Sequence, residues 1–148
     1  SSRLDRMTRG RYRLRRTEEV GDARSRSGLE LVVCDSWNDT ERPVRTLSGG
    51  ESFLASLALA LGLSDAVLAQ SGGRSLDAIF VDEGFGSLDA DALDSALRTL
   101  QELQGDGAAP GRAVGIISHV EEVKKAVGKR IEVTPKAGEA VSGVQIYA

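Results

Sequence analysis

Residues 77–89 read DAIFVDEGFGSLD. Their centre, Ala78-Ile79-Phe80-Val81, is a short continuous apolar run of the sort covered on both faces in a parallel sheet, and it predicts a strand over 77–82. That strand ends in two carboxylates, Asp82 and Glu83. Adjacent charges at such a place are costly unless a cation or water chemistry uses them. Alternation along the chain points the two in different directions, so one can face a hydrated Mg²⁺ while the other faces an attacking water. A helix-capping acid beside a solvated neighbour is the bland alternative. Gly84-Phe85-Gly86-Ser87-Leu88-Asp89 then forms a tight loop into a helix, with Ser87 or Asp89 as its N-cap.

Downstream, 89–103 predicts an amphipathic helix with Leu93, Ala96, Leu97 and Leu100 on one side. A Gly- and Pro-bearing loop over 104–112 leads to a second buried strand, 113–117, and a short helix over 121–127. Strands over 129–134 and 141–147 close the chain as a hairpin. Strand, helix, strand, helix is the order of an α/β sheet, in which function gathers at the carboxyl ends of the strands. Those ends carry Asp82-Glu83 and Ser118-His119. His119 is the only histidine. A lone histidine is more often structural, but this one is level with the two carboxylates.

Upstream, Leu47-Ser48-Gly49-Gly50-Glu51 opens a long helix over 48–70 that is apolar on nearly every face, the mark of a buried helix. Two bare glycines let a phosphate approach the amides at the positive end of the helix dipole. Ser48 and Glu51 also fit a capping box, which needs no ligand. Two glycines in a first turn cost up to about 1 kcal/mol each relative to alanine, a hint that close approach is required. Earlier still, a helix end over 1–8 stops at Gly10. Strands over 11–16 and 29–34 flank a polar loop over 18–27, and 35–46 predicts a further loop.

A chain of 148 residues, 41% hydrophobic, is one domain's worth of protein, enough to bury roughly 70% of its unfolded surface. The strongly apolar run over 53–63 is too short to span a bilayer, and no secretion signal is visible. A start inside a helix-like segment suggests a missing N-terminal part. The single cysteine, Cys34, excludes an internal disulfide and fits a reducing cytoplasm. The net charge of −3 splits into +5 over residues 1–26, with nine arginines against four acids, and −8 over the rest. Such a basic end could touch DNA, and a solvated strand and helix face is the plainer reading.

Each motif is moderate alone; their order and spacing are strong. A glycine-rich helix start, a strand ending in Asp-Glu, a Ser-Leu-Asp loop and a strand ending in Ser-His resemble the second half of an ABC ATPase cassette. RTLSGGESFLASLALALGLSDAV (45–67), DAIFVDEGFGSLD (77–89) and GIISHV (115–120) resemble the C-terminal head segment of the bacterial SbcC family, SMC-like ATPases of DNA repair. GRYRLRR (10–16) resembles the strand after that family's descending coiled coil. The resemblance implies an α/β C-terminal lobe over 10–148, mainly parallel sheet with flanking helices and antiparallel strands at both ends, with 1–9 as a stub of the coil. No phosphate-loop pattern is present, nor a lysine to replace its own.

In that family, two heads sandwich two ATP molecules. The resemblance implies that Ser48, Gly49, Gly50 and Glu51 form the signature motif that covers the ATP held by the opposite head. Asp82 would hold Mg²⁺, Glu83 would polarise the attacking water and His119 would contact the γ-phosphate. Ser87, Leu88 and Asp89 would relay between the sites. Implied partners are the N-terminal Walker A lobe of the same polypeptide, a second head in a homodimer, the SbcD nuclease and double-stranded DNA, with no membrane. The implied location is the cytoplasm, at the nucleoid. Competing readings are an ABC or SMC-like ATPase not acting on DNA, a structural domain with degenerate motifs, and a DNA-binding module resting on Arg11, Arg13 and Arg15.

Overall fold

Leu4 and Met7 lie one turn apart on the first helix, α1 (Ser2–Met7), and both are buried. The helix ends where Gly10, at φ +83°, donates its amide to the Asp5 carbonyl. The protein is described by a computed structural model, which covers residues 2–16, 31–70, 77–104, 111–135 and 141–148. The polar loop expected over 18–27 lies outside those residues.

Tyr12 is buried at the start of β1 (Tyr12–Arg16), where Leu14 also turns inward and arginines turn outward. β1 pairs antiparallel with β2 (Leu31–Asp35), and β2 with β3 (Thr40–Pro43). β3 is a correction to the loop expected over 35–46. Thr-Glu-Arg-Pro has no apolar alternation, so pairing alone defines this edge strand, and Pro43 sits at its end, where no central ladder is interrupted. The 3₁₀ turn Val44–Thr46 then delivers the chain to α2 (Gly49–Gln70).

Leu54, Ala55, Leu57, Ala58 and Leu61 of α2 enter the core, where they meet the buried residues of α1, β1, β2, β4 (Ala78–Asp82), α3 (Ala90–Leu103) and α4 (Glu121–Ala126). Full burial of a side chain such as Leu61 or Leu100 contributes about 1.5–3 kcal/mol. α2 is buried on one side only: Leu59, Leu63 and Val67 are exposed, contrary to the fully buried helix expected. At 22 residues it is also, by length and composition, long and apolar enough to cross a membrane, which the run over 53–63 understated. Its core-facing leucines mark a core helix, as does Asp65, whose carboxylate takes hydrogen bonds from Arg3 of α1 and from Arg112.

β4 pairs in parallel with β5 (Ala113–Ile117), with α3 crossing between them. Leu93, Ala96, Leu97 and Leu100 of α3 are all buried, as its periodicity predicts. The sheet differs from expectation on its other face, where Phe80 and Ile117 are 76% and 54% exposed. The closing hairpin, β6 (Arg130–Pro135) with β7 (Ser142–Tyr147), contributes no residue to the buried core. The architecture is therefore α/β: a parallel pair with flanking helices, and antiparallel strands at both ends.

Candidate functional site

β4 and β5 end together, with Asp82 opposite Ile117. The Glu83 amide adds one more rung by donating to the Ile117 carbonyl at 2.9 Å. The chain then leaves the sheet abruptly, because Glu83 and Gly84 both adopt positive φ, +57° and +96°. For a glutamate this is a strained conformation, held here by the rung before it and the packing after it. The turn brings the Glu83 carboxylate to His119, 2.9 Å from Nδ1. A carboxylate only accepts, so Nδ1 carries the proton of that bond and Nε2 is left for another partner. Both side chains are open to solvent, at 50% and 78% exposure. Asp82 beside them is exposed too, with no ion pair among the described residues.

The loop after Glu83 forms the 3₁₀ turn Phe85–Ser87, anchored by buried Phe85. Ser87 Oγ donates to the Gly84 carbonyl at 2.9 Å, whereas Asp89 accepts from the Ala92 amide at 2.8 Å. Asp89, not Ser87, is therefore the N-cap of α3.

Ser48 and Glu51 form the reciprocal cap: the Ser48 amide donates to Glu51 Oε2 at 2.8 Å, and the Glu51 amide to Ser48 Oγ at 3.3 Å. Glu51 does more than cap. It also accepts from the Tyr12 hydroxyl and from Arg42 Nη2 at 3.3 Å, which ties the start of α2 to β1 and β3. Burial alone would raise the Glu51 carboxyl, but the bonds from Tyr12, Ser48 and Arg42 outweigh it and hold its pKa below the ordinary value. Burial, together with the Glu51 bond, pushes the Tyr12 hydroxyl up to about 12. The glycines also have an internal reason. A Cβ on Gly50 would sit 2.7 Å from the Ser87 carbonyl oxygen, so its bareness is demanded by the loop after β4, with or without a phosphate. Gly49 has looser surroundings, its nearest neighbour at 3.5 Å.

Ser48–Glu51, Asp82, Glu83, Ser87–Asp89 and His119 thus form two adjoining patches, joined where Gly49 and Gly50 meet Ser87. Sequence reasoning missed Tyr12 and Arg42, whose role depends on pairing across the sheet. It also missed Phe53, which reads as one more apolar residue of α2. No three carboxylate, histidine or cysteine groups converge on a common metal position among the described residues. A Mg²⁺ ion fits only through the open Asp82 carboxylate, with water and phosphate oxygens completing its shell.

A family profile described as SbcC/RAD50-like, Walker B motif, matches residues 18–102. The chain belongs to the SbcC/RAD50 family. The SbcC component of the SbcCD nuclease from Vibrio cholerae is 56% identical over 133 residues, which are 90% of this chain and 13% of that protein. Its counterpart from Treponema pallidum is 47% identical over 87% of this chain and 12% of its own length. This SbcC/RAD50 chain therefore spans only about an eighth of the curated relatives it matches. Among solved structures, one from work on ATP-driven dimerisation and DNA-stimulated activation of SMC ATPases superposes with TM-score 0.73 at 17% identity. It is matched over all of this chain and 80% of that one. The Smc head of Pyrococcus furiosus with an extended coiled coil, bound to the C-terminal domain of ScpA, gives 0.70 at 19% identity, over 100% and 33% of the two chains. At these identities the SMC likeness shows the fold alone.

Proposed function

We propose that residues 10–148 are the C-terminal lobe of a split ABC-type ATPase head, and that 1–9 continue a coiled coil. The observation that carries this reading is the open Glu83–His119 pair beside Asp82 at the end of a parallel strand pair, with the Ser48–Gly50 helix start seated on the adjoining loop. In hydrolysis, water attacks the γ-phosphorus of ATP, the bond to the bridging oxygen breaks, and ADP and phosphate leave. Glu83 takes the proton of the attacking water and His119, through Nε2, faces the γ-phosphate. Asp82 holds Mg²⁺ through water, and the ion neutralises charge on the phosphate oxygens. Ser48, Gly49, Gly50 and Glu51 present a positive helix end to the ATP of the opposite head, and Ser87, Leu88 and Asp89 lie between the two sites.

The exposed apolar faces support the pairing with an N-terminal lobe that carries the phosphate loop: Leu59, Leu63 and Val67 on α2, and Phe80 and Ile117 on the parallel strands. The naming of the relatives supports the further partners. These are a second head, the SbcD nuclease and double-stranded DNA, in a complex that processes DNA ends in the cytoplasm at the nucleoid. SbcD binding is expected to need both lobes and more coil than 1–9 supply. Arg11, Arg13 and Arg15 are weaker evidence for DNA contact, because each is paired with a carboxylate, on Asp35, Asp5 and Glu41.

This chain by itself should not hydrolyse ATP, and mixing it with the N-terminal lobe should restore turnover. In the reconstituted head, Glu83→Gln should keep Mg-ATP binding, stall hydrolysis and trap the head dimer, as size-exclusion chromatography with ATP would show. Hydrolysis at the parent rate by that variant would remove Glu83 from its role. Ser48→Arg should block ATP-driven dimerisation with nucleotide affinity near the parent value. A joint loss of both would reduce Ser48 to a cap.

A further inference from the structure

The start of α2 and the turn after β4 fit together through a ring and an absent side chain. Phe53, two residues beyond Glu51, lays a ring edge against Gly84. Any Cβ on Gly84 would fall inside that ring's contact surface, nearer than carbon atoms approach. The same ring meets Phe85 edge to face, with centroids 5.0 Å apart and planes at 60°. Phe85 is fully buried, so the partner of this contact is fixed in the core. At the helix start, Gly50 closes on Ser87 with equally little room. Two contacts therefore clamp the first turns of α2 to the loop that begins at Glu83. Gly84, at φ +96°, is one of the two left-handed residues that set the direction in which the Glu83 carboxylate leaves the strand.

We propose that Phe53 is a positioning residue for hydrolysis. Its ring, seated on Gly84, makes Ser48–Gly50 and the Glu83–Gly84 turn a single moving body. The inference rests on the proposed function, in which Ser48–Gly50 serve the nucleotide of the opposite head and Glu83 serves the nucleotide of its own. Engagement of one ATP by the α2 start then resets the Glu83 carboxylate at the other. A close-packed contact of this kind shifts between discrete arrangements and does not deform smoothly, which suits it to transmit a small displacement.

The test uses the full-length protein with Phe53→Leu and Phe53→Tyr, and follows steady-state ATP hydrolysis, ATP-driven head association and the thermal midpoint. Phe53→Leu removes the ring edge and should lower kcat by about tenfold or more, with KM and head association within about twofold of the parent. It should also bring the Hill coefficient for ATP toward one. Phe53→Tyr keeps the ring and should recover most of the lost kcat and cooperativity. Parent-like turnover by Phe53→Leu overturns the proposal. So does a Phe53→Tyr variant no better than Phe53→Leu, or a joint fall of kcat, head association and thermal midpoint, which marks the ring as packing alone. Glu83→Gln in the same assay separates the two levels. If it hydrolyses at the parent rate, the proposed function fails; if it is inactive while Phe53→Leu is unaffected, the coupling alone fails.

Discussion

Two antiparallel units flank the parallel pair, and they are built to opposite states of completion. In β1–β3, Tyr12 and Val33 are buried, and the outer face is laced with ion pairs: Arg13 with Asp5, Arg15 with Glu41, Arg11 with Asp35. In β6–β7, the register sets Ile131 opposite Ile146 and Val133 opposite Val144, and all four side chains are 62–75% exposed. Both units satisfy their backbone. Only the first buries the side chains that its alternation selects. The difference teaches that hydrogen-bonded pairing fixes the shape of a hairpin, while burial of one face decides its stability. The closing hairpin awaits cover from outside the described core, and the sheet that holds the signature-like turn does not.

The same substitution on the two units is the sharpest way to break this contrast. Val33→Ala in β2 should cost about 2 kcal/mol, measured by denaturant unfolding, because its side chain is wholly enclosed. Val144→Ala in β7 should cost less than about 0.5 kcal/mol in this chain. Equal losses would mean that the hairpin is buried in solution. A larger loss at Val144 in the complete head than in this chain would identify the hairpin as part of the inter-lobe contact.

Tyr12→Phe comes next in size. It removes a buried hydroxyl bonded to the Glu51 carboxylate and should cost about 1.5–3 kcal/mol. The pH dependence has a definite sign. With its folded pKa raised from 10.0 to about 12, the Tyr12 hydroxyl lends stability that is fully present below pH 10 and lost as pH rises toward 12. Glu51 acts at the other extreme. Its folded pKa is lowered, so its contribution is present above the ordinary glutamate pKa and lost as pH falls through the folded value. Unfolding followed from pH 9 to 12 should show a smaller loss for Tyr12→Phe than for the parent, and an unchanged loss would assign the alkaline limb to other groups. The smallest effect is expected at Arg15→Ala. Its pair with Glu41 is half-exposed and screened by salt, so the melting temperature should stay within the scatter of the measurement.

Motifs whose function is local were legible in the sequence. The apolar run before Asp82, the cap at Ser48 and the amphipathic period of α3 each fix their element within a residue or two, because the physics acts over a few neighbours. β3 was not legible, since Thr40–Pro43 becomes a strand only by lying beside β2. The Tyr12–Glu51–Arg42 cluster was hidden for the same reason, with its members 39 and 9 residues apart. Apolar character at Phe80, Ile117, Leu63 and Val67 predicted burial that this chain does not provide. Hydrophobicity reports what a residue requires, and the partner that meets the requirement can lie on another stretch of the polypeptide.

The carboxylate of Asp65 stands near the far end of α2, held by Arg3 on one side and Arg112 on the other. A 22-residue helix is about 33 Å long, so this clasp lies well away from the cap at Ser48. In mechanical terms α2 is a lever and α1 a tether hooked to its long arm. Tension along α1 loads the Arg3–Asp65 link first, and the stiff helix carries that load as a tilt toward the loop bearing Glu83. Pulling on the N-terminus should therefore strain the site before it extracts α1. With Asp65→Asn the link should slip at lower force, and the site should feel almost none of it.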